Sequence, residues 1–272
     1  MKAYFNGTWI ENDIRLPLND RGLQFGDGLF ETIIVKDGAV RFLKHHLTRI
    51  QKGAEVMGLK NLPFSIEELE NVILKVLALN KIDKHARVKL QIWRQPSSRN
   101  GYHPTSLDVN ILVTASEHVP FVSRVIEKVS FCTSVALTYS AVSRFKTISA
   151  LPYVMASKEA EEKGMDDLIL LNERGLVSEC IMSNIFWIKD KTIFTPSLAT
   201  GCIEGIMRNH LITQCHQSID PIIEVEAKPA ELAKADVIFS ANVAGFYIFQ
   251  NVNTRPFSTR HPTMQALINN TA

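Results

Sequence analysis

Two mixed α/β domains are the fold class this sequence predicts, and three observations lead there. Hydrophobic residues make up 46% and charged residues 21% of the 272 positions, enough apolar mass for sizeable cores and too little charge for disorder. Strand-type runs are interleaved with helix-type spacings in both halves of the chain, as in layered α/β folds. A short polar link containing Pro120 interrupts the pattern near residues 116–122. A boundary there gives an N-terminal domain of residues 1–117 and a C-terminal domain of residues 118–272.

Residues 29–36 are rich in strand formers, Asp37-Gly38 is a hairpin pair, and the chain returns over residues 39–43. A helix is expected over residues 44–57, with Gly58 as its stop. Ser65-Ile66-Glu67-Glu68 opens a second helix as a capping box. Leu69, Val72, Ile73, Val76 and Leu77 then recur at helical spacing and give it one buried face. Strands follow at residues 86–93 and 108–115. Between them runs a polar, turn-rich stretch, Arg94 to Tyr102, which is either a solvated connection or a site loop. In the second half, strands are expected at residues 125–133, 167–172, 176–181, 185–189, 222–226 and 237–240. Helices are expected over residues 151–163 and from about residue 204.

Several function classes are disfavoured at this level. Thirty basic and 28 acidic residues leave a net charge of +2 with no dense basic run, so neither nucleic acid nor a membrane surface is an expected partner. Met1 to Gly7 lacks the apolar core of a signal peptide and no run reaches spanning length, so a cytoplasmic location is expected. Cys132, Cys180, Cys202 and Cys215 form no CxxC pair and read as buried small hydrophobes, and the histidines form no HExxH, so no metal is expected. Gly26-Asp27-Gly28 meets Glu31 where a third glycine would stand, and there is no GxxxxGK[ST], so nucleotide binding by those motifs is unsupported.

The chemistry-bearing candidates are few. Lys146 follows a β-branched stretch and precedes the helix expected from residue 151. A lysine with polar neighbours is ordinarily a surface residue. Glu179 stands among Val177, Cys180, Ile181 and Met182, where burying a carboxylate without a partner is costly. An exposed strand face would also explain it. A lysine and a carboxylate on separate apolar elements suit an amine nucleophile with a charge partner. Arg49 could supply a guanidinium for phosphate, though alone it is ordinarily a surface arginine. Gly205-Ile206-Met207-Arg208 looks like a loop feeding a helix start, where free amides point outward.

Together these segments resemble the class IV (fold type IV) enzymes dependent on pyridoxal phosphate. That family includes branched-chain aminotransferases, D-amino acid aminotransferases and 4-amino-4-deoxychorismate lyase. The resemblance runs from about Asn6 to Phe249: the stretch Asp20 to Thr32, then Glu179 with Asn184-Ile185-Phe186-Trp187, Phe194-Thr195-Pro196 and Gly205 to Arg208. It implies the D-amino acid aminotransferase-like fold, with a small N-terminal α/β sandwich and a larger, barrel-like C-terminal α/β domain carrying the lysine. It also implies that Lys146 carries the cofactor and shuttles the proton, and that Glu179 faces the pyridine nitrogen. Arg49 would hold the phosphate with the amides of Ile206 and Met207 and the segment Ser240, Ala241, Asn242. A homodimer acting on a small-molecule amine is expected, as in the family.

Within the family the lyase is resembled most. The tyrosine and histidine that seat a substrate carboxylate in D-amino acid aminotransferases fall at Phe30 and Gly101, leaving Arg99 as the one matching donor. Branched-chain enzymes carry a glycine after their Glu-Val, where this chain reads Glu179-Cys180-Ile181-Met182, and a tyrosine five residues past the lysine, at Leu151 here. Arg94, Arg99 and Gly101-Tyr102 resemble the lyase loop, whereas Ser240-Ala241-Asn242 departs from its Thr-Asn-Ser. Phe30, Arg94, Arg99 and Tyr102 are therefore the expected substrate residues. The expected reaction is conversion of 4-amino-4-deoxychorismate to 4-aminobenzoate and pyruvate, a step of folate biosynthesis. The alternatives are an aminotransferase for branched-chain or D-amino acids with 2-oxoglutarate, and a protein of this fold without turnover.

Overall fold

The computed structural model describes residues 1–60, 62–96, 101–218 and 221–271. The chain forms two compact units, residues 1–120 with 145–149, and residues 121–144 with 150–272.

The first unit contains β1 (Lys2–Phe5), β2 (Thr8–Glu11), α1 (Arg21–Phe25), β3 (Gly28–Lys36), β4 (Ala39–Val40), α2 (Leu43–Val56), α3 (Ile66–Leu79), β5 (Ala86–Arg94) and β6 (Val109–Glu117). Its strands make one sheet in the order β2-β1-β6-β5-β3-β4, with antiparallel pairing throughout. The β3–β4 hairpin turns at Asp37 and Gly38 with φ of 53° and 79°, the left-handed pair that suits the twist of two antiparallel strands. The strand expected over residues 39–43 is cut short because α2 already begins at Leu43. Ser65 caps α3 as the sequence predicts, its side chain accepting from Glu68 N while Glu68 accepts from Ser65 N. Ile33, Leu47, Ile50, Leu69, Ile73 and Val88 are among the side chains that bury the two long helices against the sheet.

One feature departs from the sequence-based division. Lys146 is expected in the second domain, yet Phe145–Ser149 belongs to the first unit. The cause is backbone pairing with β3. Phe30 N donates to Lys146 O at 2.8 Å, Ile148 N donates to Gly28 O at 2.9 Å, and Leu29 bridges Thr147. Phe145 then buries its ring in the first unit's core. Gly28 permits this closeness on the other side, since a Cβ there would meet Ile92 O at 2.3 Å.

The second unit contains β7 (Ser123–Ile126), β8 (Val129–Phe131), α4 (Leu151–Lys163), β9 (Asp167–Leu171), β10 (Val177–Cys180), β11 (Asn184–Lys189) and β12 (Thr192–Pro196). It continues with α5 (Ile206–Ser218), β13 (Ile223–Val225), α6 (Pro229–Leu232), β14 (Val237–Asn242), β15 (Gly245–Phe249), β16 (Asn251–Val252), β17 (Arg255–Pro256) and α7 (Pro262–Thr271). Two sheets result, β10-β9-β8-β16-β17 and β13-β12-β11-β14-β15-β7. Val129, Ile169 and Val177 from one and Ile185, Trp187 and Ile238 from the other share a core, while Ala156 and Ala160 of α4 pack on Leu168 and Leu170. The single strand expected over residues 125–133 is two strands in different sheets. The break is fixed by Asp166, whose carboxylate accepts from the amides of Glu127 and Lys128 at 2.9 and 2.8 Å.

Candidate active site

Within the first unit, the backbone pairing above puts Lys146 beside β3. Its Nζ lies 4.8 Å from the centroid of the Phe30 ring, and Lys89 Nζ approaches the same ring at 5.2 Å. Side chains alternate across a strand, so Glu31 points away from Phe30 and into the interior beneath α2. There its carboxylate accepts from Arg49 Nε at 2.7 Å and Nη2 at 2.5 Å, and meets His46 Nδ1 at 2.7 Å. Burial pushes the Glu31 carboxyl up, but the Arg49 charge and the bonds from His46 and Arg49 outweigh it, bringing the carboxyl down to about 2. Burial lowers the His46 pKa despite the bond to Glu31. The plane of the Arg49 guanidinium is thus set by a carboxylate that remains charged.

Two other expected substrate residues have different outcomes. Arg94 is buried, its Nε donating to Asp27 at 2.9 Å, Nη1 to the carbonyls of Gly58 and Ser106 at 3.0 and 2.9 Å, and Nη2 to Met57 O at 2.6 Å. Those bonds make it a tie between β5 and the loops around it, which corrects its expected role as a substrate contact. Tyr102 is exposed, its ring 5.5 Å from that of Phe25 and its carbonyl accepting from Arg21 at 2.8 Å. Arg99 lies outside the described residues.

Within the family-like stretch from Asp20 to Thr32, where Phe30 is the one residue with an expected role, three carboxylates have structural tasks. Asp20 caps α1 through Leu23 N at 2.8 Å and also accepts from Trp93 Nε1 at 2.8 Å. Asp27 receives both Arg21 and Arg94. Glu31 anchors Arg49. The last of these could have been noticed, because a carboxylate interrupts an otherwise apolar strand.

Within the second unit, Glu179 is buried at 3% exposure near the end of β10, where a register shift between Val177 and Glu179 bends the strand. Tyr153 Oη donates to its Oε1 at 2.6 Å, and Ile203 N donates to the same oxygen at 3.1 Å. Asn184 Nδ2 approaches Oε2 at 3.4 Å and donates to Ile203 O at 2.8 Å. Burial first, then the Glu179 charge, hold the Tyr153 phenol well above its ordinary range, so it remains a donor. Tyr153, Ile203 N and Asn184 are all neutral donors to this buried carboxylate, and no local sequence signal marks Tyr153.

The same unit carries the remaining expected cofactor residues. Ile206 and Met207 open α5, where first-turn amides have no partner inside the helix. Gly205 precedes them close against Asn184, where a Cβ would stand 2.0 Å from Oδ1. Ser240 is fully buried and its hydroxyl accepts from Ser183 Oγ at 2.7 Å. Ala241 pairs with Asn184 across β14 and β11. Asn242 spends its amide on Met182 O at 3.0 Å and Ala244 N at 2.8 Å, which fixes the turn after β14. Arg208 is buried and ties α5 to Pro196 O at 2.9 Å and Glu224 at 2.5 Å. Among the described residues no cluster of His, Cys, Asp or Glu could hold a metal ion, and no helix is long and apolar enough to cross a membrane.

This chain belongs to the Amino-transferase class IV family, which matches residues 28–247. Members of that family depend on pyridoxal phosphate, and the chain is accordingly a pyridoxal-phosphate enzyme. The Rickettsia felis protein named "Probable branched-chain-amino-acid aminotransferase" is 32% identical over 224 residues, 78% of this chain and 74% of that protein. The Bacillus subtilis aminodeoxychorismate lyase is 31% identical over 212 residues, 77% of this chain and 72% of that protein. The branched-chain aminotransferase of Thermoproteus uzoniensis, solved with norvaline, shares the fold with a TM-score of 0.88 at 23% identity, over 99% of this chain and 93% of that one.

The residues fit the cofactor group by group. An aldehyde asks for a lysine amine, a pyridine nitrogen kept protonated asks for a buried carboxylate, and a phosphate asks for a guanidinium and helix-start amides. The first unit carries groups of these kinds in the Lys146 amine and the Arg49 guanidinium, and the second unit, by itself, carries the buried Glu179 carboxylate and the helix start of α5.

Proposed function

We propose that this enzyme is a lyase converting 4-amino-4-deoxychorismate to 4-aminobenzoate and pyruvate. The observation that carries the reading is the Phe30 ring 4.8 Å from the Lys146 amine. A phenyl face beside the reacting nitrogen favours a flat carbocyclic amine and offers no hydroxyl to a substrate carboxylate. Leu151, five residues past Lys146, likewise brings no phenol. The identity to the Bacillus subtilis lyase supports the same reading.

In this reading Lys146 would hold the cofactor's aldehyde carbon, and its amine would serve as the base once substrate is bound. Lys146 Nζ then removes the proton from the ring carbon that carries the amine. When bound, pyridoxal phosphate would supply an electron sink for the charge left on that carbon. The ether C–O bond breaks, the enolpyruvyl group takes up a proton and leaves as pyruvate, and the ring becomes aromatic. Glu179 would offer a negative charge to the ring nitrogen; for the phosphate, the first unit would offer the Arg49 guanidinium and the second the amides of Ile206 and Met207 with the segment 240–242. Phe30 and Tyr102 are the substrate residues retained from the sequence, with Arg99 proposed on the family resemblance alone. The protein is inferred to be a cytoplasmic homodimer, so light scattering should give the mass of two chains.

Aminotransfer is the second reading, favoured by the identity to the Rickettsia felis protein. It shares the proton abstraction by Lys146 and differs in where the proton returns. Products separate the two. Holoenzyme given 4-amino-4-deoxychorismate without a keto acid should release equal amounts of 4-aminobenzoate and pyruvate. Turnover of amino acids with 2-oxoglutarate, and none of the chorismate derivative, would overturn the lyase reading.

A further inference from the structure

Tyr153 lies in the first turn of α4, immediately after Pro152, and its amide donates to Ala150 O at 3.1 Å. Proline suits the opening of a helix, since its missing N–H would have had no helical partner there. This fixed start aims the phenol at Glu179. Its hydroxyl donates at 2.6 Å to Oε1, the oxygen that also accepts Ile203 N at 3.1 Å. One carboxylate oxygen thus carries two strong donors, while Asn184 approaches the other at 3.4 Å.

We propose that Tyr153 is a positioning residue for Glu179, locking its rotamer and damping its basicity so that it bonds the cofactor ring nitrogen without taking the proton. This rests on the proposed assignment of Glu179 to that nitrogen. A carboxylate that accepts hydrogen bonds in its charged form is a weaker base. The phenol stays protonated because burial and the neighbouring carboxylate both disfavour its anion. It differs in placement from the tyrosine expected in branched-chain enzymes: it stands seven residues past Lys146 and meets Glu179.

The test uses holoenzyme with Tyr153→Phe, Glu179→Gln and the double variant. Tyr153→Phe removes one oxygen and keeps the ring, so folding should be retained, checked by circular dichroism. Loss of a hydrogen bond to a charged group predicts a fall in kcat of about tenfold or more, with KM altered less. The pH midpoint of the cofactor's visible band should rise by about half a unit, because a more basic Glu179 draws charge from the ring. In the Glu179→Gln background, Tyr153→Phe should add little to either readout. A spectral midpoint that Glu179→Gln shifts and Tyr153→Phe leaves unmoved would overturn this inference alone. A midpoint unmoved by Glu179→Gln would overturn the assignment of Glu179 and this inference with it. Equal effects of Tyr153→Phe in both backgrounds would show that it does not act through Glu179.

Discussion

Replacing Glu31 with glutamine should destabilise the first unit by about 3 kcal/mol at neutral pH. The magnitude comes from the carboxyl's own titration. Glu31 is fully buried and its pKa falls from 4.5 to about 2, and each unit is worth about 1.4 kcal/mol of preference for the charged form. Because the folded-state value is depressed, this stability is present above about pH 4.5 and is lost as pH falls toward 2. Glutamine removes the charge and leaves the Arg49 guanidinium without the Glu31 carboxylate, which for a buried pair costs about 3–5 kcal/mol. The assay is hydrogen exchange of β3 and β5 amides in apo-protein across a urea series, which reports this unit even if the two units unfold separately. Glu31→Leu with Arg49→Met, which removes both charges, should recover most of the loss. A Glu31→Gln protein within about 1 kcal/mol of the parent would refute the claim that this pair holds α2 to β3.

Two further outcomes follow from the second unit. Asp167 is buried and burial lifts its carboxyl to about 6, so the parent should lose stability as pH rises from about 4 to 6. Asp167→Asn, retaining an acceptor for Leu168 N and Ile181 N, should flatten that slope and gain roughly 1–2 kcal/mol at pH 7.5. An unchanged urea profile between pH 4 and 7.5 would contradict it. Gly205→Ala would place a Cβ 2.0 Å from Asn184 Oδ1. Asn184 must then leave Ile203 O, at a cost of roughly 1–3 kcal/mol and with weaker cofactor binding, both readable by thermal melts with and without pyridoxal phosphate. Parental melting and affinity would mean that the glycine is not needed there.

Much of the architecture was legible because local signals are strong where they occur. The Ser65 box, the Asp37-Gly38 turn and the run of strand formers over residues 29–36 each express backbone chemistry that tertiary packing did not override. The break after Ile126 was not legible, since it depends on Asp166, 39 and 38 residues beyond the two amides it captures. The allegiance of Lys146 to the first unit was hidden for the same reason: β3 pairs with it across more than a hundred residues. Glu179 was visible as a carboxylate among apolar neighbours, yet its partner Tyr153 carried no local mark. Arg94 resembles an arginine of the lyase loop, and a resemblance in sequence cannot distinguish a loop that binds ligand from one that an arginine ties down from within.

Lys146, and no other lysine of this chain, is proposed to carry the cofactor. Borohydride reduction of the holoenzyme, followed by proteolysis and mass spectrometry, fixes the cofactor to its lysine and tests this directly. The phosphopyridoxyl mass should appear on the peptide containing Lys146, and Lys146→Ala should lack both the label and the visible band. A stoichiometric label on a different lysine, or an unaltered visible band in Lys146→Ala, would contradict it.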